Sequence, residues 1–298
     1  MRKNPPKKFK KTKHKVTQKA LSPHALLDTL RYRQIFDCPM SYHQIWNYFI
    51  SSKPVDMQNF KDTLDNLIKN KKILYKDGWY SIDKVDYEKV EIKRKHAEKL
   101  IAQAKDIVKY LRQIPWIEMV AVTGSVAAFN ANEQSDIDIL VVTKPKRLWL
   151  TRVFLASILK ILGVYWNDKK PAETICPNIL ITTNNLTWDS NKQNLYTANE
   201  ISLLYPIFFR HNCYFDFLKQ NDWVGRHLPN FHIPDSKAQA AGGLQIVGKV
   251  IDIIELTTMK LQMLYMKNKK TTEVVSKNFA HFNTHDASIH ILQKFGRN

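Results

Sequence analysis

The sequence has few cysteines and no long apolar segment. Its three cysteines, Cys38, Cys176 and Cys213, are far apart and form no C-x-x-C pair, so neither a disulfide framework nor a zinc site is expected. The basic start is not followed by an apolar segment, so we expect no signal peptide. The most apolar stretch, residues 148–166, contains charged side chains and predicts a buried helix instead of a membrane span. These absences favour a cytoplasmic globular protein without a membrane partner.

The sequence also has few acidic residues relative to basic ones. The 298 residues carry 46 basic and 27 acidic side chains, a net charge of +19 that favours polyanionic partners such as nucleic acid. Nine of the basic residues lie in residues 1–20, which contain no acid and little to bury, so this segment is predicted to be a disordered tail. Two roles stay open for the tail: a flexible arm on nucleic-acid phosphates, or a solubilising terminus.

The most informative stretch runs from Trp116 to Thr143. A valine-rich apolar run, Ile117–Thr123, predicts a buried strand, and Gly124-Ser125 ends it. A short helix, a polar turn and a second strand, Ile137–Thr143, follow. Side chains two residues apart on a strand project from the same face, so we expect Asp136 and Asp138 to point together, toward the end of the sheet where the Gly-Ser turn lies.

Two adjacent carboxylates beside an apolar sheet repel each other unless a cation lies between them. Mg²⁺ is commonly held by one or two carboxylates together with substrate phosphates. The Gly124-Ser125 turn offers backbone N–H groups and a hydroxyl to an anion. Asp136 and Asp138 are therefore predicted to hold Mg²⁺, and Gly124 and Ser125 to bind the phosphates of a nucleoside triphosphate.

This pattern, GS followed about ten residues later by SDIDILVV, resembles the DNA polymerase β-like nucleotidyltransferase superfamily. The wider order of VTGS, SDIDILVVTKP, RLWLTR and a Leu-Tyr-Thr-Ala helix is similar to a bacterial branch with an N-terminal winged helix. The resemblance implies an α+β fold, with a small mixed sheet flanked by helices. It also implies a third acidic residue on the strand after the crossover helix.

At the place of that third acid the sequence has Asn178, preceded by Pro177. Asparagine supplies no negative charge, although its carbonyl oxygen can bind a metal. Asn178 is taken as the third catalytic candidate, with Glu173 as a substitute. Arg152 lies in the apolar helix Leu148–Leu162, where a charge needs a partner, so it either pairs with a structural group or contacts phosphate.

The remaining sequence predicts flanking domains. Residues 21–84 contain three helical patterns and a hairpin around Asp77-Gly78, which together are typical of a winged helix. Residues 85–115 predict one long linker helix, 116–190 the nucleotidyltransferase core, and 191–298 a mainly helical region that includes a helix over Leu195–Phe209. The winged helix is either a nucleic-acid contact or a structural and protein-interaction module.

Together these observations predict a Mg²⁺-dependent nucleotidyltransferase that moves a nucleoside monophosphate from a nucleoside triphosphate to an acceptor hydroxyl. The tail and the winged helix suggest nucleic acid as a second partner. The alternative is a nucleic-acid-binding regulator with a catalytically degenerate nucleotidyltransferase fold, which Asn178 favours and which both aspartates disfavour.

Overall fold

The computed structural model describes residues 21–167, 169, 171–235, 248–267, 274–282 and 287–296. The predicted disordered tail, residues 1–20, lies outside the described residues. Two β-sheets and ten α-helices make up the described part, so the fold combines helices with mixed sheet, as expected. Among these helices, none is long and apolar enough to cross a membrane.

The N-terminal unit is a small helical domain closed by a three-stranded sheet. Phe49, Phe60 and Leu64 are fully or almost fully buried in its core. The Asp77-Gly78 turn of the hairpin has positive φ at both residues, a conformation that Asp-Gly pairs adopt readily. The strands are antiparallel in the order β1-β3-β2. The elements are α1 (Pro23–Gln34), β1 (Met40–Ser41), α2 (Tyr42–Asn47), α3 (Met57–Lys69), β2 (Leu74–Lys76) and β3 (Trp79–Ser81).

One long helix, α4 (Tyr87–Leu111), joins this unit to the central sheet. Asp86 caps its start by accepting a hydrogen bond from the Lys89 N–H. Its buried residues recur every three or four positions, which places one apolar stripe on the sheet. At 1.5 Å per residue the helix extends over roughly 38 Å.

The central sheet has six strands in the order β7-β4-β5-β6-β9-β8. Only β5 and β6 among these strands pair in parallel, because helix α6 (Leu148–Ile161) provides the crossover between them. The other pairs are antiparallel. The strands are β4 (Ile117–Val122), β5 (Ile137–Thr143), β6 (Ile175–Thr182), β7 (Tyr205–Phe209), β8 (Val274–Val275) and β9 (Phe279–His281).

Helices cover both faces of this sheet and give it two separate cores. One face packs against α4, α6 and α9, and the other against α7, α8 and α10. Residues of β5 alternate between these cores: Ile139 and Val141 join the first, and Leu140 and Val142 the second. The remaining helices are α5 (Gly124–Ala127), α7 (Leu195–Leu203), α8 (Cys213–Gln220), α9 (Lys249–Met266) and α10 (Ala287–Phe295).

The N-terminal unit packs on the second of these faces. Tyr32 of α1 is buried in the same core as α7 and contacts the ring of Phe295 edge-on, with centroids 5.4 Å apart. Asn130, in the loop before β5, donates a hydrogen bond from Nδ2 to the Phe36 carbonyl oxygen at 2.8 Å. Helix α1 is thereby held beside the end of the sheet that carries the Gly-Ser turn.

The predicted helix over Leu195–Phe209 is wrong in its second half. Helix α7 ends at Leu203, and Tyr205–Phe209 forms the edge strand β7 beside β4. Pro206 disfavours helix continuation, and the aromatic residues around it suit a strand that gains its hydrogen bonds from β4. The C-terminal region thus contributes strands to the central sheet as well as helices.

Candidate metal and nucleotide site

The Gly-Ser turn joins the end of β4 to helix α5 directly beside the start of β5. The Thr123 N–H donates a hydrogen bond to the Asp138 carbonyl oxygen at 3.0 Å, which fixes the turn against β5. Gly124 has φ of +65°, a conformation that other residues adopt only with strain. A Cβ atom on residue 124 would lie 3.3 Å from Oδ2 of Asp138. Glycine is therefore suited to this position on two counts.

Three side chains converge next to this turn. One ligand atom from each of Asp136, Asp138 and Cys176 lies within 4.8 Å of those from the other two. Asp138 alternates with Ile137 and Ile139 along β5, so it projects from the same face as Leu140. The two carboxylates thus point together, with a thiol in place of a third carboxylate.

The pairing of β5 with β6 explains which residues face Asp138. Asp138 is opposite Cys176, whereas Leu140 is opposite Ile179, so β6 has one extra residue between these pairs. This irregularity brings both Cys176 and Asn178 to Asp138. Asn178 is buried and donates a hydrogen bond from Nδ2 to Oδ1 of Asp138 at 3.2 Å. The Asn178 amide therefore holds this carboxylate in position.

The surroundings of the two aspartates disfavour their ionised forms. Burial raises the pKa of Asp138 to about 7, and the charges of Asp136 and Glu200 add to this rise. The neighbouring side chains of Cys176 and Asn178 oppose this rise. Burial also raises the pKa of Asp136. A cation between the carboxylates would remove the repulsion, so these donors fit a divalent metal ion.

A further acid, Glu200, reaches the site from α7. Its carboxyl group lies near the Gly124 backbone, which opposes the effect of burial on its pKa. Burial nevertheless raises the pKa of Glu200 to about 7, although the charge of Arg33 on α1 also opposes the rise. The site thus combines strand, turn and helix residues, and the N-terminal unit contributes a nearby positive charge.

Gly124 and Ser125, the two predicted phosphate-binding residues, have different surroundings. Gly124 lines a cavity, with Glu200 close to its backbone. Ser125 is exposed, and its carbonyl oxygen accepts a hydrogen bond from the Asn130 N–H at 2.9 Å. A phosphate at the Gly124 amide would lie close to the Glu200 carboxylate.

The cavity beside Asp138 has a volume of about 260 Å³ and lies between the sheet and α7. Its wall is largely apolar and aromatic, with Trp188, Tyr196 and Phe279 among its residues. Asp138 and Asn178 form part of the wall at the sheet, and Glu200 part of the wall at α7. A concave site lined by apolar, aromatic and polar side chains suits a small organic ligand such as a nucleoside.

Arg152 does not reach this cavity. It lies on α6, on the opposite face of the sheet, where its guanidinium donates a hydrogen bond to Oε1 of Gln262 and stacks over the Phe282 ring at 4.5 Å. Burial lowers its pKa. Of the two roles that the sequence left open for Arg152, these contacts fit pairing with a structural group. The predicted phosphate contact is wrong, because the sheet separates Arg152 from Asp136 and Asp138.

Glu173 also points elsewhere, since Oε1 accepts a hydrogen bond from Nζ of Lys99 on α4 at 2.6 Å.

Two residues of the site, Cys176 and Glu200, were not predicted from the sequence. Cys176 required the β5–β6 register, which local sequence does not reveal. Glu200 could have been noticed in the sequence, although only weakly, because it is the only acid of the largely apolar helix α7.

Comparison with known proteins gives a sequence match over the part of the chain that holds this site. No curated protein matches the chain in sequence. A family model matches residues 101–185, a range that contains Gly124, Asp136, Asp138 and Cys176 and ends before α7 and Glu200. Over residues 101–185, the chain therefore has the sequence pattern of a nucleotidyltransferase domain.

Proposed function

We propose that the protein is a divalent-cation-dependent nucleotidyltransferase, which moves a nucleoside monophosphate from a nucleoside triphosphate to an acceptor hydroxyl. The observation that carries this proposal is the convergence of Asp136, Asp138 and Cys176 beside the Gly124 turn. These residues all lie within the part of the chain that matches a nucleotidyltransferase domain. Mg²⁺ is the cation that the two carboxylates predict.

Each residue has a role in this proposal. Asp136 and Asp138 hold the cation, and Asn178 orients Asp138 through its hydrogen bond. When bound, the cation lowers the pKa of the acceptor hydroxyl and neutralises charge on the leaving pyrophosphate. Gly124 and Ser125 bind the outer phosphates, with Glu200 nearby in the same cavity.

Glu200 is the proton acceptor in this proposal. The acceptor oxygen forms a bond with the α-phosphorus, the bond from that phosphorus to the β-phosphate oxygen breaks, and the hydroxyl proton moves to a carboxylate oxygen of Glu200. A carboxylate with a pKa of about 7 is well matched to this step near neutral pH. The aromatic cavity beside Asp138 provides a surface for the nucleotide base.

The N-terminal unit is proposed to be a winged helix. The order of its elements, helix-strand-helix-helix-hairpin, supports this assignment. Basic residues on α3 and just after it suit phosphate contacts, but Asp62 and Asp65 on the same helix oppose them. Nucleic acid is therefore a second partner in the proposal, bound through this unit and the basic tail.

The test is transfer of label from α-labelled nucleoside triphosphates, with Mg²⁺ or Zn²⁺, to RNA, protein and small-molecule hydroxyls. The double variant Asp136→Asn/Asp138→Asn is expected to abolish transfer. Glu133→Gln is the matched control, because Glu133 is an exposed acid in the loop before β5. Transfer by the double variant at the wild-type rate would refute the assignment.

The alternative function is a nucleic-acid-binding regulator that binds nucleotide without turnover. Asn178 in place of an acid and the net charge of +19 favour it. Isothermal titration with ATP and Mg²⁺ separates the two functions, because the regulator would bind nucleotide while giving no labelled product with any acceptor. Asn178→Asp is the informative variant, since restored transfer would identify the missing acid as the cause.

A further inference from the structure

We infer that Cys176 is a ligand of the cation site and that its sulfur makes this site prefer a thiophilic divalent cation, of the Zn²⁺ type, over Mg²⁺. The inference deepens the proposed function by naming the class of cation, and it rests on that proposal for the roles of Asp136 and Asp138. Nothing in the amino-acid sequence alone set Cys176 apart from Cys38 and Cys213.

The position of Cys176 is fixed by the backbone. Parallel pairing places Cys176 opposite Asp138, and Ile137 opposite Ile175, at the start of both strands. The Ile137 N–H also donates a hydrogen bond to the Thr174 carbonyl oxygen at 2.8 Å, which holds the two strand starts together. Strand residues are held more rigidly than loop residues, so the sulfur is a preorganised donor.

The spacing of the three donors is close to that of a bound set. In a tetrahedral site, two atoms bound to one cation at about 2.1 Å and 2.3 Å lie roughly 3.6 Å apart. The ligand atoms of Asp136, Asp138 and Cys176 lie within 4.8 Å of one another. For the set to hold one cation, the ligand atoms have to approach one another by at most about 1.2 Å, a distance that side-chain rotations can supply.

The donor types determine which cation is favoured. Carboxylates suit Mg²⁺, Mn²⁺ and Zn²⁺, whereas a thiolate strongly favours Zn²⁺ and softer ions. On binding, the S–H bond of Cys176 breaks, the sulfur bonds to the cation, and the proton leaves to solvent. No oxidant or reductant is required for this exchange.

The other two cysteines have different surroundings. Cys38 accepts a hydrogen bond from Arg33 and donates one to the Pro39 carbonyl oxygen. Cys213 is buried in the apolar core around α8. Of the three cysteines, Cys176 alone belongs to a group of carboxylates. Cys38→Ala and Cys213→Ala are therefore matched controls.

The experiment is a titration of the full chain with Cd²⁺, which gives an ultraviolet charge-transfer band only when a thiolate binds it. The band is expected in the wild type and in both control variants, and is expected to vanish in Cys176→Ser. Competition titrations are expected to show at least about tenfold weaker Zn²⁺ binding in Cys176→Ser, with Mg²⁺ binding changed by less than about threefold. A band that persists in Cys176→Ser would overturn the inference.

A second measurement covers the case in which Cys176→Ser fails to fold. In the wild type, Zn²⁺ is expected to slow alkylation of Cys176 by iodoacetamide, read by mass spectrometry, whereas equal Mg²⁺ has a smaller effect. Equal protection by both cations would overturn the preference. Neither assay contains nucleotide, so a thiolate band without any transfer activity would refute the proposed function and leave this inference standing.

Discussion

Gly124 lies so close to Asp138 that a methyl group on residue 124 would stand 3.3 Å from Oδ2 of the carboxylate. The contact connects the turn after β4 to the first residues of β5. It also explains why the turn bears glycine in a left-handed conformation: the backbone must fold back sharply and leave room for the carboxylate.

Gly124→Ala is therefore expected to lower both stability and cation binding. The positive φ should cost about 1–2 kcal/mol of unfolding free energy, and the crowded carboxylate should bind Zn²⁺ or Mg²⁺ several-fold more weakly. Gly163→Ala is the control, because Gly163 also has positive φ, at +70°, but has open space around it. Urea unfolding and calorimetric titration measure the two effects; equal loss of cation binding in both variants would contradict the role of the Asp138 contact.

The sequence predicted the strand–turn–strand unit well because its signals are local. Ile117–Val122 and Ile137–Thr143 form strands as the apolar runs indicated, and Gly124 marks the break between them. The same holds for the hairpin around Asp77-Gly78. In each case, the residues that determine the structure lie within a few positions of one another.

Features that depend on distant residues were missed. Cys176 joins the aspartates because β5 and β6 pair in parallel with one extra residue in β6, which only the assembled sheet reveals. Glu200 reaches Gly124 from a helix 76 positions along the chain. Tyr205–Phe209 becomes a strand because β4 is available to pair with it. Asn178, by contrast, was expected near the aspartates because the family resemblance implies an acid at this place on the strand, and it hydrogen-bonds to Asp138.

The cation-free protein is expected to lose stability as pH rises from about 4 to about 7. Asp138 and Glu200 have pKa values of about 7 in the folded protein, against 3.8 and 4.5 for the exposed groups. Between these values the folded protein holds more protons than the unfolded chain, so rising pH favours unfolding, by a few kcal/mol in all. Urea unfolding in EDTA at pH 5 and pH 8 measures the loss.

The double variant Asp138→Asn/Glu200→Gln isolates this contribution, because its amides cannot ionise. Its stability is expected to fall much less than that of the wild type between pH 5 and pH 8. Adding Zn²⁺ at pH 8 should restabilise the wild type but not the variant. An identical pH dependence in the two proteins would show that the two carboxyl groups are not the source.

Glu200→Gln alone tests the proposed proton acceptor. Glutamine keeps the size of the side chain but cannot accept a proton, so the transfer rate is expected to fall by about 10²–10⁴-fold. Cation binding should change less than in Asp138→Asn, because Glu200 acts on Asp138 through its charge but is not one of the three clustered ligands. Single-turnover kinetics at saturating nucleotide measure the rate, and a loss below about threefold would assign the proton to another acceptor. Glu98→Gln, on the exposed face of α4, is the control.

The start of α6 leads to a last prediction, which concerns the stability of the protein and not its chemistry. Arg147 precedes the helix but does not cap it with a side-chain hydrogen bond. The cap comes from α9: buried Glu255 accepts hydrogen bonds from the N–H groups of Trp149, at 2.9 Å, and Leu150, at 2.8 Å. A carboxylate at a helix N-terminus is favoured by the exposed N–H groups and by the helix dipole.

Glu255→Ala leaves both N–H groups without this acceptor in a buried position, so the unfolding free energy should fall by about 2–5 kcal/mol. Thr257→Ala on the same helix is the control and should change stability by less than about 0.5 kcal/mol, because Thr257 is exposed. Urea unfolding measures both variants at one pH. A Glu255→Ala protein as stable as the control would mean that water or another side chain replaces the cap, and that α9 does not hold α6 in place through this carboxylate.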